Sequence, residues 1–192
     1  MSDLFGVSGN ELLDRAAPRL PAAMRGRVGS SRWLIGRLDF RIDQFARLVR
    51  ARLRADPGYT AVQELPGVGP TIGAVFIAEI GQIERFPSAA HLASWSGLTP
   101  KHRESDTTVH RGRITKQGSK LVRWAAIEAV QHIPAGSRLG IYRDRVAERR
   151  GRNQAKVAAA RELVECLYYA LRDGHVRRLQ HSRDDRAARL AA

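Results

Sequence analysis

Cysteine is nearly missing from this chain: Cys166 is the single one among 192 residues. That excludes an intramolecular disulfide and any cysteine-cluster metal site, and it fits a reducing cytosol. Cys166 lies in the apolar helical run ELVECLYYAL, where a buried core thiol is expected. No hydrophobic run approaches the ~18 residues of a membrane helix. The N-terminus MSDLFGVSGNELLDR has no basic region followed by an apolar stretch, so neither a span nor a secretion signal is expected and the chain reads as cytoplasmic, with no membrane partner.

Lysine is scarce as well, with only Lys101, Lys116, Lys120 and Lys156, and acidic residues are outnumbered 19 to 33 by lysine and arginine together. The net charge is +14 and the isoelectric point about 11.3. Such charge suits a polyanionic partner, which gains affinity by releasing counterions, and nucleic acid is the leading class. Arginine supplies most of it, and guanidinium forks match phosphate bidentately. A GC-rich genome produces the same arginine bias, so the bias alone does not choose a partner. The catalytic signatures GxSxG, HExxH and GxxxxGK[ST] are all missing, and no carboxylates recur in a metal-site pattern. These absences leave no metal site and no cofactor expected in this chain, and phosphoryl chemistry at a serine as the one enzymatic reading to defend.

What the chain does have is 43% hydrophobic residues, enough for a packed core. The periodicity predicts a mainly α fold. From Ser30, the stretch SSRWLIGRLDFRIDQFARLVRARLRADPG places Ile35, Leu38, Ile42, Phe45 and Val49 at alternating three- and four-residue steps, closed by Pro57-Gly58. This coiled-coil-like seam suits either a second copy of the chain or the chain's own domain. Residues 1–58 form the N-terminal segment and long helix in this reading, 59–173 a helical domain, and 174–192 a basic tail that frays.

Within the domain, VQELPGVGPTIGAVFIAEIG reads as a helix-hairpin-helix: a short helix ends at Pro66, and Gly67-Val68-Gly69 turns into an apolar helix. Gly67 and Gly69 let backbone approach a phosphate, and the N–H groups opening the second helix favour an anion. An ordinary turn between two core helices has the same sequence. SAAHLASWSGLTP is a short helix capped by Ser88 and stopped at Gly97, with His91 and Trp95 as a packing pair on one face. Residues 99–117 read as a loop with room for a short β-hairpin around Thr107–Val109. Helical periodicity returns at Ser119, with Leu121, Trp124, Ala125 and Ile127 or Glu128 expected on one side. It breaks at Pro134–Gly136 and resumes as two helices around Gly151.

The loop carries the chemistry. In PKHRESDTTVHRGRITKQGSK, Ser105 stands among Arg103, Arg111, Arg113, Lys116 and Lys120, cations able to hold a phosphate and to stabilise a pentacoordinate transition state. His102, Glu104, Asp106 and His110 are all candidates to accept the serine proton, and local sequence does not select among them. A basic loop that only touches nucleic acid has the same composition.

Three elements in order then carry a resemblance: the PGVG turn, the FPSAAHLASWSGLTP block, and the loop RES…RG.ITK.G. From residue 62 to about 131 the chain resembles the C-terminal transposase domain of the IS-one-ten family of bacterial insertion-sequence transposases. The upstream helix resembles that family's coiled coil. The resemblance implies a serine-recombinase-type reaction on DNA, with Ser105 of RESDTT as the nucleophile that forms a phosphoserine link. It implies cooperation with a RuvC-like domain bearing an Asp-Glu-Asp-Asp divalent-metal site, and in some members a guide (bridge) RNA. It also implies a homo-oligomer through the long helix and a nucleoid-associated location. Only about 30 residues precede the long helix, too few for RuvC-like strands. The expectation is therefore the later half of a transposase, inactive by itself in the metal-assisted steps. The alternative is a non-catalytic nucleic-acid-binding helix-hairpin-helix protein or transposase remnant.

Overall fold

Proline, glycine and serine set the helix boundaries. In the computed structural model, which describes residues 6–105 and 108–176 and only the backbone at 102–105 and 108–111, the chain divides into two units, Met1–Val49 and Arg50–Ala192.

The first unit holds α1 (Val7–Ala16), a 3-10 turn at Ala17–Arg19, and most of α2 (Ala22–Leu53). Arg32 of α2 donates to Asp14 of α1 at 2.6 Å, and Leu13 is buried. The long helix begins at Ala22, upstream of the pattern change at Ser30, because Gly26 and Gly29 sit in open surroundings and nothing there breaks the backbone ladder. It stops at Leu53, ahead of Asp56-Pro57, where a residue preceding proline disfavours the helical region. No α2 residue is buried, and Leu34, Leu38, Ile42, Phe45, Leu48 and Val49 are exposed along it.

In the second unit, Asp56 caps α3 (Pro57–Gln63) by accepting from the Tyr59 N–H at 2.8 Å. Pro70 opens α4 (Pro70–Ile80), and Gly81 at φ 61° ends it. Next come α5 (Ala89–Trp95), β1 (Pro100–Ser105), β2 (Thr108–Ile114), α6 (Lys120–Gln131), α7 (Arg138–Arg150) and α8 (Arg152–Asp173). Two serines cap as acceptors: Ser119 from the Val122 N–H and Ser137 from the Gly140 N–H, both at 3.1 Å. Gly151, at φ 84°, separates α7 from α8.

The core gathers around α8, which touches α3, α5, α6 and α7. Leu163, Val164 and Leu167 of α8 are fully buried, with Phe76, Leu92, Val122 and Val130 in the same cluster. Cys166 is buried among them, as its apolar run predicts. The fold is mainly α, in agreement with the periodicity.

Two local expectations are corrected. The buried stripe of α6 is Val122, Ala125, Ala126, Ala129 and Val130, whereas Leu121 and Trp124 are about half exposed. Small side chains let α6 approach α4 and α8 closely, so the alanine face, not the bulkier one, turns inward. His91 is exposed rather than packed, and its Nδ1 shares a 2.8 Å hydrogen bond with the Ser88 hydroxyl one turn earlier.

The segment read as a loop contains a two-stranded antiparallel ribbon. Thr108, Val109 and Ile114 favour extended backbone, but the partner strand KHRES has no such preference, so cross-strand pairing decides the outcome. Backbone pairs are Pro100↔Ile114, His102↔Arg111, Arg103↔His110, Glu104↔Val109 and Ser105↔Thr108, with a bulge between Pro100 and His102.

Candidate nucleic-acid interface

The ribbon is rooted in the core by its flanks. The Thr115 N–H donates to the Thr99 carbonyl at 2.9 Å, and the Lys116 N–H to the Gly97 carbonyl at 3.1 Å. Gly97, at φ 71°, and Gly118, at φ 75°, interlock: a β-carbon on Gly97 would stand 2.3 Å from the Gln117 carbonyl oxygen, and one on Gly118 would meet the Trp95 carbonyl oxygen. Lys116 itself takes φ 57°, the sole non-glycine at positive φ among the described residues. Such a backbone persists only where its surroundings enforce it. Here the enforcing contacts are the two root hydrogen bonds and Arg123, whose Nη1 donates to the Ser96 carbonyl at 2.9 Å and the Gln117 carbonyl at 3.4 Å.

Ser119 fixes the other side of this turn. Besides capping α6, its hydroxyl donates to Glu79 Oε2 of α4 at 2.6 Å. The ITKQGSK segment is thus held to α4, α5 and α6 together, which leaves Arg113, Lys116 and Lys120 exposed at defined positions. None of the three makes an ion pair among the described residues.

Of the other expected site residues, Ser105, Arg103 and Arg111 lie in the paired strands. Their backbones pair as Ser105↔Thr108, Arg103↔His110 and His102↔Arg111. Asp106 and Thr107, and the tail from residue 177 onward, lie outside the described residues.

The two glycines of the α3–α4 turn differ. Gly67, at φ 82°, makes its close approach to protein: a β-carbon there would be 2.2 Å from the Ala129 carbonyl oxygen of α6. Gly69 has open space around its Cα, is exposed, and opens α4 with no side-chain cap and no acidic residue in the first turn. Pro70 has no N–H, so Thr71, which is exposed, and Ile72 carry the N–H groups of that first turn that lie outside the helix's own ladder.

Sequence reasoning missed Arg123. Its role depends on a carbonyl that α5 presents across the chain, and no periodicity reports that. Among the described residues, no three histidine, cysteine or carboxylate groups are placed to hold a metal ion, and no helix is long and apolar enough to cross a membrane.

Comparison with known proteins gives this geometry a context. Residues 59–137 match the family model for Transposase IS116/IS110/IS902. The chain is 32% identical over 140 residues to the insertion element IS116 uncharacterized 44.8 kDa protein of Streptomyces clavuligerus, covering 71% of this chain and 35% of that one. It is 33% identical over 128 residues to the insertion element IS110 uncharacterized 43.6 kDa protein of Streptomyces coelicolor, covering 66% and 32%. A shorter match, 37% identical over 62 residues, covers 32% of this chain and 19% of the pilin gene-inverting protein of Moraxella bovis. The chain spans about a third of the length of the curated Streptomyces relatives it matches. From α3 through the ribbon and past the end of α6, this chain is thus similar to the transposase IS116/IS110/IS902 family.

Proposed function

We propose that this chain acts in DNA transposition as the serine-bearing, DNA-binding part of a transposase, with Ser105 as nucleophile. The observation that carries the reading is that the matched segment, residues 59–137, contains the whole ribbon and its root. In the reaction, the Ser105 hydroxyl oxygen attacks a backbone phosphorus. A phosphoserine ester forms, the bond from phosphorus to one nucleoside oxygen breaks, and the serine proton passes to a base while the leaving oxygen gains one. His102, Glu104, Asp106 and His110 remain the candidates for that base. Arg103, Arg111, Arg113, Lys116 and Lys120 hold the phosphate and offset charge on the transition state.

Helix-hairpin-helix contact belongs to the same reading. Gly69 and the open first turn of α4 lie against a phosphate, while Gly67 holds the turn onto α6. Among the described residues no three histidine, cysteine or carboxylate groups are placed to hold the divalent ion of the reaction. That ion belongs to a RuvC-like domain working with this chain, on which strand exchange depends. A guide RNA is a further partner of the assembly, and α2 is its seat of self-association.

The test is covalent capture. The chain is incubated with a RuvC-like domain of the same family, divalent metal and nicked element-end DNA, then denatured and mapped by mass spectrometry. The expected result is a DNA fragment linked to Ser105, lost in Ser105→Ala with DNA affinity retained. Equal behaviour of wild type and Ser105→Ala, with no adduct, removes the nucleophile and leaves a non-catalytic nucleic-acid binder.

A further inference from the structure

Arg85 closes the 3-10 turn Ile83–Arg85, which is pinned from both sides by buried side chains, Ile83 and Phe86. Its guanidinium carbon lies 4.6 Å from the Phe86 ring centroid and 4.8 Å from that of Trp95, and those two rings are themselves 5.3 Å apart. Two aromatic rings therefore hold an exposed cation in one place.

What this arginine lacks is a carboxylate. Arg32, Arg138, Arg143, Arg161 and Arg172 each pair with an acidic side chain, whereas Arg85 makes no ion pair or hydrogen bond among the described residues, and its exposed neighbour Glu84 makes none either. Arg172 is the instructive contrast. It also stacks on two rings, Tyr168 and Tyr169, but its Nε donates to Asp173 at 2.8 Å, and that hydrogen bond raises its pKa. Stacking at Arg172 accompanies an internal ion pair; the exposed Arg85 stacks with no such pair among the described residues.

Arg85 also sits next to the ribbon's root. Trp95, which it covers, is the residue whose carbonyl lies against Gly118, and the following Gly97 carbonyl receives the Lys116 N–H. The end of α5 thus bears Arg85 on the ring of its last residue and the Lys116 turn on its backbone. Both cations are exposed; the Arg85 guanidinium is held by the two rings, and Lys116 through its backbone.

We propose that Arg85 is a phosphate-binding residue for the nucleic-acid backbone, fixed by stacking on Phe86 and Trp95 and acting with Lys116 across the end of α5. This rests on the reading of the chain as a nucleic-acid binder and extends its binding surface beyond the ribbon. A pre-placed guanidinium loses little freedom on meeting a phosphate, so its contribution is larger than that of a free surface arginine.

The test measures binding of the full chain to a labelled DNA duplex of about 20 base pairs across a salt series, for wild type, Arg85→Gln and Arg85→Lys. Loss of one phosphate contact predicts about fivefold weaker binding for Arg85→Gln at moderate salt, and a log-affinity slope against log salt shallower by about 0.9. Arg85→Lys keeps the slope. An unchanged affinity and slope in Arg85→Gln overturns the proposal while wild-type binding leaves the broader reading standing. A lowered thermal midpoint with an unchanged slope also overturns it, making Arg85 a cover for Trp95 only. Absence of salt-dependent binding by wild type removes the broader reading, and the proposal with it.

Discussion

The α-carbon of Gly118 lies against the carbonyl oxygen of Trp95, so near that a β-carbon on Gly118 would stand 1.6 Å from that oxygen. No side chain fits there, and φ 75° is itself unfavourable for any other residue. The contact joins the end of α5 to the turn that starts α6, and it fixes where Lys116 and Lys120 stand.

Gly118→Ala is therefore expected to destabilise the fold by at least about 2 kcal/mol, from the clash and the left-handed backbone together. Chemical denaturation monitored by circular dichroism measures it. A midpoint equal to wild type would mean that the turn is free to move away from α5.

Gly67→Ala and Gly69→Ala separate packing from binding. The first drives a β-carbon to 2.2 Å from the Ala129 carbonyl and should unfold the protein at lower denaturant. In the second, loss of a good N-cap and the stiffer unfolded chain oppose each other, so stability should stay within about 0.5 kcal/mol of wild type. Gly69→Ala should nonetheless weaken DNA binding measured by anisotropy, because its β-carbon enters the open approach to the first turn of α4. Unweakened binding removes α4 from the interface.

The family match ends at residue 137, but the core does not. Leu163, Val164 and Leu167 of α8 complete the cluster containing Leu92, Val122 and Val130. A chain cut after residue 150 should lose cooperative unfolding and expose Trp95 to quencher. Leu163→Ala in the full chain should cost about 3 kcal/mol, the usual range for a leucine truncated in a core. A cut chain that melts cooperatively would show that α3 to α7 form a core of their own.

Along α2, Leu38, Ile42 and Phe45 are more than half exposed. If this stripe is the seat of self-association, Ile42→Asp should convert an oligomer to a monomer in sedimentation equilibrium, with helix content unchanged. A monomeric wild type, or an oligomer that survives the substitution, assigns the stripe another role.

What the sequence disclosed was mostly what neighbouring residues decide. Proline and glycine mark the ends of α2, α4 and α7, and Ser88 and Ser119 stand at the N-cap positions of α5 and α6, although only Ser119 caps with its side chain. The buried face of α6 is set by Ala125, Ala126 and Ala129, whose small side chains allow the closer helix contact, so periodicity alone does not say which side turns inward. The ribbon was under-read because KHRES acquires its strand from its partner rather than from its own propensity. Gly67 looked like a phosphate turn, and only the fold brings Ala129 against it. Arg85 and Arg123 were invisible as a pair of neighbours to α5, since each meets it through tertiary contact.

The closed root of the ribbon makes strand length and core stability separable traits. Because Thr115 and Lys116 are tied back to Thr99 and Gly97, lengthening each strand by an even number of residues would carry the tip outward and preserve which positions share a face. One residue inserted between Thr115 and Ser119 would instead break the fit at Gly118 and shift the start of α6. The reach of the ribbon can thus change without renegotiating the interior, provided that these few root residues keep their spacing.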